Sequence, residues 1–305
     1  MSLVGNDYEY YDKRFRDLTV PIAKVATLYD GCLWAEGPVW FADQGHLVWS
    51  DIPNNRLLRW TPDLGVGVFR ADANYTNGNT RDREGRLVSC EHGGRRVTRT
   101  EPDGSLTVIA SHYRGKRLNS PNDVVVRSDG SIWFTDPTYG IMSDYEGYKS
   151  DSEQEGCFVY RVDPASGDIA VVADDFVKPN GLAFSPDETK LFIADSGFSH
   201  DPDAPHHIRV FDVGADNRLH NGRVFAEVSP GVPDGFRFDT EGNLWTSTQD
   251  GVLCLGPSGE ALGKIRIPTM VSNLCFGGPR RNRLFITATD RLFAVYVSAT
   301  GAQRP

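Results

Sequence analysis

The chain has 305 residues, with 32 Lys or Arg against 41 Asp or Glu, so its formal net charge at pH 7 is −9. A surface of this sign repels phosphate backbones and argues against a nucleic-acid partner. No apolar run approaches the roughly 18 residues of a membrane-spanning helix, so we expect no membrane partner either. The 31 Gly and 18 Pro residues favour many short strands separated by turns and exclude a helical bundle.

The N-terminal segment MSLVGNDYEYYDKRFRDL is polar and charged and contains no apolar stretch typical of a secretory signal. We therefore expect a cytoplasmic protein. Residues 1–21 are interpreted as an N-terminal extension and residues 22–305 as a single domain. The five Cys residues are scattered and show no C-x-x-C spacing, which predicts neither a disulfide framework nor a zinc site.

One pattern recurs six times along the chain: an acidic or Gly-containing turn, followed by a strand that an aliphatic residue leads. These aliphatic residues are Leu47, Leu87, Ile132, Leu191, Leu244 and Leu284. Their spacings of 40, 45, 59, 53 and 40 residues average about 47, the length of one propeller blade. We therefore predict an all-β fold, a six-bladed β-propeller with four-stranded antiparallel blades. Residues 22–29 are expected to supply a strand that completes the last blade.

Ten or eleven residues before each of these aliphatic residues stands a side chain that carries an oxygen atom. These residues, called the inner ring, are Glu36, Asn77, Asn122, Asn180, Asp234 and Asn273. Each opens the strand before the repeated turn, and we expect these strands to line the central channel. Carboxylate and amide oxygens without His or Cys suit calcium, with zinc and manganese as alternatives, so we predict a metal in the channel. The competing interpretation is that Asn and Asp before Gly are ordinary turn residues.

A second ring lies four residues after each leading aliphatic residue. It consists of Asp51, Glu91, Asp136, Asp195, Thr248 and Ala288. Antiparallel pairing is expected to bring it to the same face of the propeller, where its carboxylates would repel each other unless a cation or hydrogen bonds compensated them. The alternative is that these acids cap the turns at strand ends. The two longest spacings contain polar insertions at 138–156 and 197–207, which we expect to govern ligand preference.

The motifs EGPVW at Glu36, PNGLAFSPDE at Asn180 and PDGFRFDTEGNLW at Asp234 resemble the metal-ligand segments of the regucalcin (senescence marker protein) and gluconolactonase family. CEHGGRRV around His92 and NSPNDVV around Asn122 are similar to its bacterial gluconolactonase branch. The resemblance covers most of the chain, about residues 25–297. It implies that Glu36, Asn180 and Asp234 bind the metal, with Asn122 beside the metal or on the substrate.

The resemblance also implies a substrate-contacting Arg two positions before a substrate-contacting Asn, and Arg117 matches that Arg. Here the spacing breaks, because the segment from Arg117 to Asn122 is three residues longer than in regucalcin. Either Asn119 or Asn122 takes the role, and we favour Asn122 because it keeps the blade register. His92 and Asp136 are the other predicted substrate-binding residues; for His92 the alternative is a strand-end His bonded to a neighbouring backbone.

The activity that the resemblance implies is calcium-dependent hydrolysis of a sugar-acid lactone. The cation would polarise the carbonyl, and Asp234 would activate water as the base, with Asp136 or Glu91 as alternatives. Two other classes stay open: hydrolysis of aryl esters or phosphotriesters at the same metal, and a non-enzymatic propeller that binds a protein partner around a structural ion. The sequence contains no G-x-S-x-G, H-E-x-x-H or P-loop motif, so serine-hydrolase, zincin and ATP chemistry are not predicted.

Overall fold

The computed structural model describes residues 7–303, and almost all of their regular structure is β-strand. The N-terminal part contributes strand β1 (Tyr8–Tyr10), helix α1 (Arg14–Leu18) and strand β2 (Ala26–Tyr29). Blade one contains β3 (Ala35–Phe41), β4 (His46–Asp51), β5 (Arg56–Thr61) and β6 (Gly65–Ala71). Blade two contains β7 (Thr76–Arg81), β8 (Leu87–Glu91), β9 (Arg96–Thr100) and β10 (Leu106–Ala110).

The next two blades carry the long insertions. A small hairpin of β11 (His112–Tyr113) and β12 (Lys116–Arg117) comes first. Blade three contains β13 (Val124–Val126), β14 (Ile132–Asp136), β15 (Cys157–Val162) and β16 (Ile169–Phe176), with helix α2 (Tyr139–Met142) between β14 and β15. Blade four contains β17 (Pro179–Phe184), β18 (Lys190–Asp195), β19 (His207–Val213) and β20 (Leu219–Glu227), with a 3₁₀ turn (Gly197–Ser199) after β18.

The last two blades use strands from both ends of the described chain. Blade five contains β21 (Phe236–Phe238), β22 (Leu244–Thr248), β23 (Gly251–Leu255) and β24 (Ala261–Arg266). Blade six contains β25 (Val271–Gly277), β26 (Arg283–Ala288), β27 (Arg291–Tyr296) and, as its outermost strand, β2. The pairing of β2 with β27 is antiparallel and joins the two ends of the ring. The predicted six-bladed propeller and its closure by residues 22–29 are therefore confirmed.

The N-terminal extension packs on the propeller. Strand β1 pairs with β24 and gives blade five a fifth strand, which the repeat pattern did not predict. Phe15 of α1 is fully buried, with its ring 5.7 Å from that of Trp245. The first six residues of the predicted extension lie outside the described residues, and the domain boundary after residue 21 stays a prediction.

The core is divided among the interfaces between neighbouring blades. Six clusters of buried side chains each join two adjacent blades; one contains Trp49 of blade one and Phe285 of blade six. Trp49, Trp133 and Trp245 stand on the second strands of their blades and are fully buried. The five Cys residues are free thiols, four of them buried, as small apolar residues would be. Between residues 7 and 303, no helix has the length and apolar character to cross a bilayer.

Candidate active site in the central channel

The inner-ring residues lie on or just before the first strand of each blade. These strands, β3, β7, β13, β17, β21 and β25, contact one another in order around the channel. The pairing register shifts next to Glu36 in β3, at Asn77 in β7, at Asn180 in β17 and before Asn273 in β25. A bulge of this kind re-aims side chains and occurs often beside functional sites. The sequence therefore uses the same local irregularity in four blades to turn a polar side chain.

The Gly after an inner-ring residue permits close contact between neighbouring blades. A Cβ atom on Gly78 would lie 2.4 Å from the carbonyl oxygen of Asn122, and one on Gly181 would lie 2.0 Å from that of Asp234. Both glycines are inside strands, so the interpretation of these Asn-Gly pairs as turn residues is wrong. Gly is needed here because the backbone of the next blade occupies the space of a side chain.

Four carboxyl groups, called the carboxylate cluster, act on one another at this end of the channel: Glu36, Asp123, Glu146 and Asp234. Burial raises the pKa of Asp234 well above its usual range, and the charges of the other three raise it further. Burial likewise raises the pKa of Glu36, with Asp123 and Glu146 adding to the shift. The pKa of Glu146 is raised to about 7 by burial. Crowded acids with these shifts gain strongly from a bound cation.

Amide oxygens surround the carboxylate cluster. Asn180 is buried and donates its amide hydrogen to Ser196 at 3.1 Å, while its Oδ1 atom has no hydrogen-bond partner within residues 7–303. A buried acceptor without a protein partner is costly, and its oxygen is available to a water molecule or a ligand. By contrast, Asn273 uses both ends of its amide, donating to Glu36 at 3.1 Å and accepting from the Leu274 N–H at 2.8 Å. Asn273 therefore orients Glu36, and Asn180 keeps a free oxygen.

His92 fixes the amide of Asn77. Its Nδ1 atom lies 3.0 Å from the carbonyl oxygen of Glu146, so Nδ1 carries the hydrogen and Nε2 accepts from Asn77 Nδ2 at 3.2 Å. Burial lowers the pKa of His92 to about 4, which keeps the ring neutral at pH 7. The contact with a backbone carbonyl that was the alternative for His92 is thus present, to Glu146. Because Asn77 donates its Nδ2 hydrogen to the His92 ring, the Asn77 oxygen points away from His92.

The two insertions meet beside Asp234. Tyr139 of α2 lies 3.2 Å from the Ser199 hydroxyl, and its ring centroid lies 5.5 Å from that of His200. The charge of Asp234 contributes to a raised pKa of Tyr139, after burial as the largest cause. Glu146 comes from the same insertion as Tyr139 and was missed by sequence reasoning, because an insertion has no counterpart in the other blades. Asp123, also missed, directly follows the inner-ring residue Asn122.

The second ring has its own hydrogen-bond partners. Asp51 accepts from the Leu33 N–H at 2.9 Å and from Arg56 Nε at 2.8 Å. Asp195 accepts from the backbone N–H groups of Val177 and Lys178 at 3.0 and 2.9 Å. Glu91 accepts from Asn74 and Arg96, each at 2.7 Å, and from Thr98 at 2.8 Å. Of the two kinds of compensation expected, a cation or hydrogen bonds, these three acids have hydrogen bonds, from backbone N–H groups and neighbouring side chains.

Asp136 differs from the rest of the second ring. Its Oδ2 accepts from the Asn119 N–H at 2.8 Å, while its Oδ1 has no partner in the described part of the chain. Burial raises its pKa to about 7. Asp136 has no exposed surface, so a role in substrate binding stays a prediction.

Of the two asparagines considered for substrate contact, Asn119 is engaged. Its amide donates to the carbonyls of Asp136 and Gly156 and accepts from Ser152. The Asn122 amide makes no hydrogen bond to any residue between 7 and 303, and it is 5% exposed. Arg117 lies exposed on β12, with a long contact of 3.4 Å to the Gly94 carbonyl, and the structure does not bring it to the carboxylate cluster.

The donor set fits a hard divalent cation only if amide oxygens take part. Within residues 7–303, no three side chains from His, Cys, Asp and Glu form a group suited to hold a metal by themselves. Glu36 and Asp234 with the free oxygen of Asn180 supply two charges and a neutral ligand, all oxygen. Such a set favours calcium over softer metals.

Comparisons with known proteins show the family to which the chain belongs. The gluconolactonase of Zymomonas mobilis is 32% identical over 310 aligned residues, which cover 93% of this chain and 83% of the relative. A solved structure of a gluconolactonase from Xanthomonas campestris is 39% identical, covers 96% of both chains and has a TM-score of 0.89. A calcium-binding protein, regucalcin, from Agrobacterium tumefaciens shares the fold, with a TM-score of 0.76 at 19% identity over 93% of this chain and 97% of its own. The profile of the SMP-30/gluconolactonase/LRE-like region matches residues 34–290, and the chain therefore belongs to that family.

Proposed function

We propose that this protein hydrolyses a sugar-acid lactone, such as a gluconolactone, to the open aldonic acid with the help of a bound calcium ion. Membership of the family and the lactonase names of its similar relatives support the reaction class. The observation that carries the proposal is the free, buried oxygen of Asn180 next to the mutually repelling carboxyl groups of Glu36 and Asp234. A cation satisfies both features at once.

Glu36, Asn180 and Asp234 would hold the ion, with Asn122 beside it. When bound, the cation supplies Lewis-acid polarisation of the lactone carbonyl. The bulges and the Asn273 amide hold Glu36 in place before the ion arrives, so little ordering is needed on binding. Zinc would meet the same oxygen atoms but favours sets that include nitrogen or sulfur, whereas manganese shares the preference of calcium for oxygen ligands.

The chain's own residues account for the proton transfers. Asp234 would accept a proton from the attacking water as the water oxygen bonds to the acyl carbon. The bond from the acyl carbon to the ring oxygen then breaks, and the ring oxygen takes up the proton to become a hydroxyl group. Asn122 and the Asn77 amide, which His92 holds in one orientation, would bind substrate hydroxyls.

The test combines ion binding with a substrate panel. Chelator-treated protein is titrated with calcium by calorimetry, and hydrolysis of gluconolactone, an aryl ester and a phosphotriester is followed with and without the ion. We expect lactone opening to require calcium and to exceed the other two activities. In Asn180→Ala, calcium affinity should fall by at least about tenfold, or 1.4 kcal/mol. Asn282→Ala is the control, because Asn282 donates to the Val297 carbonyl far from the inner ring.

Each alternative function has its own outcome. Equal rates for chelated and calcium-loaded protein would contradict a role for the ion in catalysis. Faster hydrolysis of the aryl ester or the triester would change the proposed substrate from a lactone to that ester, while the proposed metal site would stand. A folded Asp234→Ala variant that retained every hydrolytic activity would favour a partner-binding propeller with a structural ion.

A further inference from the structure

A cavity lies at the end of the channel opposite the inner ring. Strand β7 contains Asn77 of the inner ring and, four residues later, Arg81. At about 3.3 Å per residue, the two residues are roughly 13 Å apart along the strand. A cavity of about 440 Å³ opens there, lined by the far ends of inner strands from blades two to six and by Gln303. Its volume is in the range of small-molecule sites. We call it the basic cavity because the arginines Arg81 and Arg237 line it.

Two buried arginines line the basic cavity. Arg81 is 9% exposed, and its Nε has no hydrogen-bond partner in the described chain. Arg237 is 7% exposed; its Nη1 donates to the Phe236 carbonyl at 2.7 Å and approaches the Asp123 carboxylate only to 3.8 Å. A guanidinium group has five donors, so both residues retain unused donors in a place where water is scarce.

The acidic residues in the wall do not neutralise these arginines, because other groups already bind them. Asp82 accepts from Arg86 Nε at 2.7 Å and from backbone N–H groups. Glu188 accepts from Arg83 at 2.8 Å and from the Ser128 N–H at 3.0 Å. Asp187 accepts from Ser185 and Thr189. The wall thus carries three arginines and three acids, and within residues 7–303 Arg81 forms no ion pair.

Apolar side chains complete the wall. Phe184, Phe238 and Phe276 line the same cavity as the two arginines. Guanidinium groups bind carboxylate and phosphate oxygens through paired hydrogen bonds, and an apolar wall offers contact to the organic part of such a ligand. An inorganic ion alone would leave most of the cavity without contacts.

We propose that the basic cavity binds a small organic anion, a carboxylate or phosphate monoester of about hexose size, through Arg81 and Arg237. Arg237 lies 3.8 Å from Asp123 of the carboxylate cluster, but neither arginine is among the proposed metal ligands, so the proposal does not rest on lactone hydrolysis. The anion replaces the missing partner of Arg81 and gives Arg237 closer acceptors than Asp123.

The test uses the full chain with chelator present, so that the carboxylate cluster is not loaded. Gluconate and glucose 6-phosphate are titrated by calorimetry, and the comparison of the two probes distinguishes a carboxylate from a phosphate ligand. Sodium chloride of the same ionic strength is the control. We expect saturable binding of one probe at one site and at least tenfold weaker binding in Arg81→Gln. Arg81→Lys keeps the charge without the planar fork and should lose part of the affinity.

Arg83→Gln is the matched control, because Arg83 lines the same wall but is already paired with Glu188. It should bind within about twofold of the parent, well inside the tenfold effect that corresponds to 1.4 kcal/mol. Equal losses of anion affinity in Arg81→Gln and Arg83→Gln would mean that the electrostatic field of the whole cavity, and not Arg81 itself, holds the anion. That result would overturn the proposal. Absence of any heat beyond the chloride control in the parent protein would overturn it as well.

Discussion

The inner ring and the second ring stand on the same six repeats and both include acids, yet the surroundings of these acids differ. Asp51 and Asp195 of the second ring each accept two or more hydrogen bonds from N–H groups or an arginine. In the inner ring, Glu36 also accepts two N–H donors, both at Oε2, but it and Asp234 face other carboxylates, whose charges raise their pKa values after burial has done so. The first group stabilises loops, while the second stays poorly compensated inside a folded protein.

Burial alone therefore does not mark a functional carboxylate. What distinguishes the two rings is the charge of the neighbours: acids of the second ring face N–H groups and arginines, whereas Glu36 and Asp234 face other carboxyl groups, as in a site prepared for a cation. Asp136 is the intermediate case, with one oxygen bonded and the other free. Substitutions that preserve shape and remove only charge should separate the two rings.

The largest effect is expected for Glu36→Gln and Asp234→Asn. Each keeps the size of the side chain but removes one of the two charges proposed for the ion. Lactone turnover should fall by about 10³-fold, or roughly 4 kcal/mol, and the rise in melting temperature on adding calcium should shrink. Without calcium, both variants should melt no lower than the parent, because a repelling charge is gone. A calcium-induced shift equal to that of the parent would contradict the assignment.

The opposite pattern is expected for Asp51→Asn. The amide nitrogen would face Arg56 and Asn54, whose donors both approach Oδ2 at 2.8 Å, so buried donors would lose their acceptor. Loss of one partner from a buried pair costs about 3 kcal/mol. Urea unfolding should show this loss, while turnover per folded molecule stays within about twofold of the parent. A strong loss of turnover with unchanged stability would place Asp51 in the functional ring.

Sequence reasoning recovered what repeats six times. The leading aliphatic residues and the inner-ring residues occupy equivalent positions in each blade, so their spacing alone predicts the propeller and the polar end of its channel. It failed where the chain departs from the repeat. Nothing in the sequence of β1 indicates pairing with β24, and Glu146 reaches the carboxylate cluster through the conformation of an insertion that only tertiary packing determines. The sequence left open whether a cation or hydrogen bonds compensate the second ring, because its donors, such as Arg56 for Asp51 and Arg96 for Glu91, stand outside the repeated pattern.

His92 lies between the two rings, next to Glu91 in sequence and bonded to Asn77. Its pKa is lowered by burial from 6.5 to about 4, so between these values the unfolded chain binds a proton that the folded chain excludes. Stability should therefore fall as the pH drops from 6.5 to 4, by about 3 kcal/mol in total. Urea unfolding of the parent and of His92→Gln from pH 7 to pH 4 isolates this contribution, since other groups titrate in both.

The exposed His220 provides the control for that comparison, because it forms only a surface contact with Asp216. His220→Gln should follow the parent curve. Parallel curves for the parent and His92→Gln would show that His92 binds its proton in the folded protein, and the tautomer assigned to it would be wrong.

The smallest effect is expected for Glu146→Gln. The Glu146 charge acts on both Glu36 and Asp234, so it adds to the field that holds a cation without belonging to the repeat. Its removal should reduce kcat/KM for the lactone about tenfold, which is 1.4 kcal/mol. Glu155→Gln in the same insertion is the matched control, because the Glu155 side chain is 86% exposed. If both variants match the parent, the insertion contributes shape and not charge to the site. A tenfold loss confined to Glu146→Gln would instead show that an acid supplied by the insertion acts together with Glu36 and Asp234 of the inner ring.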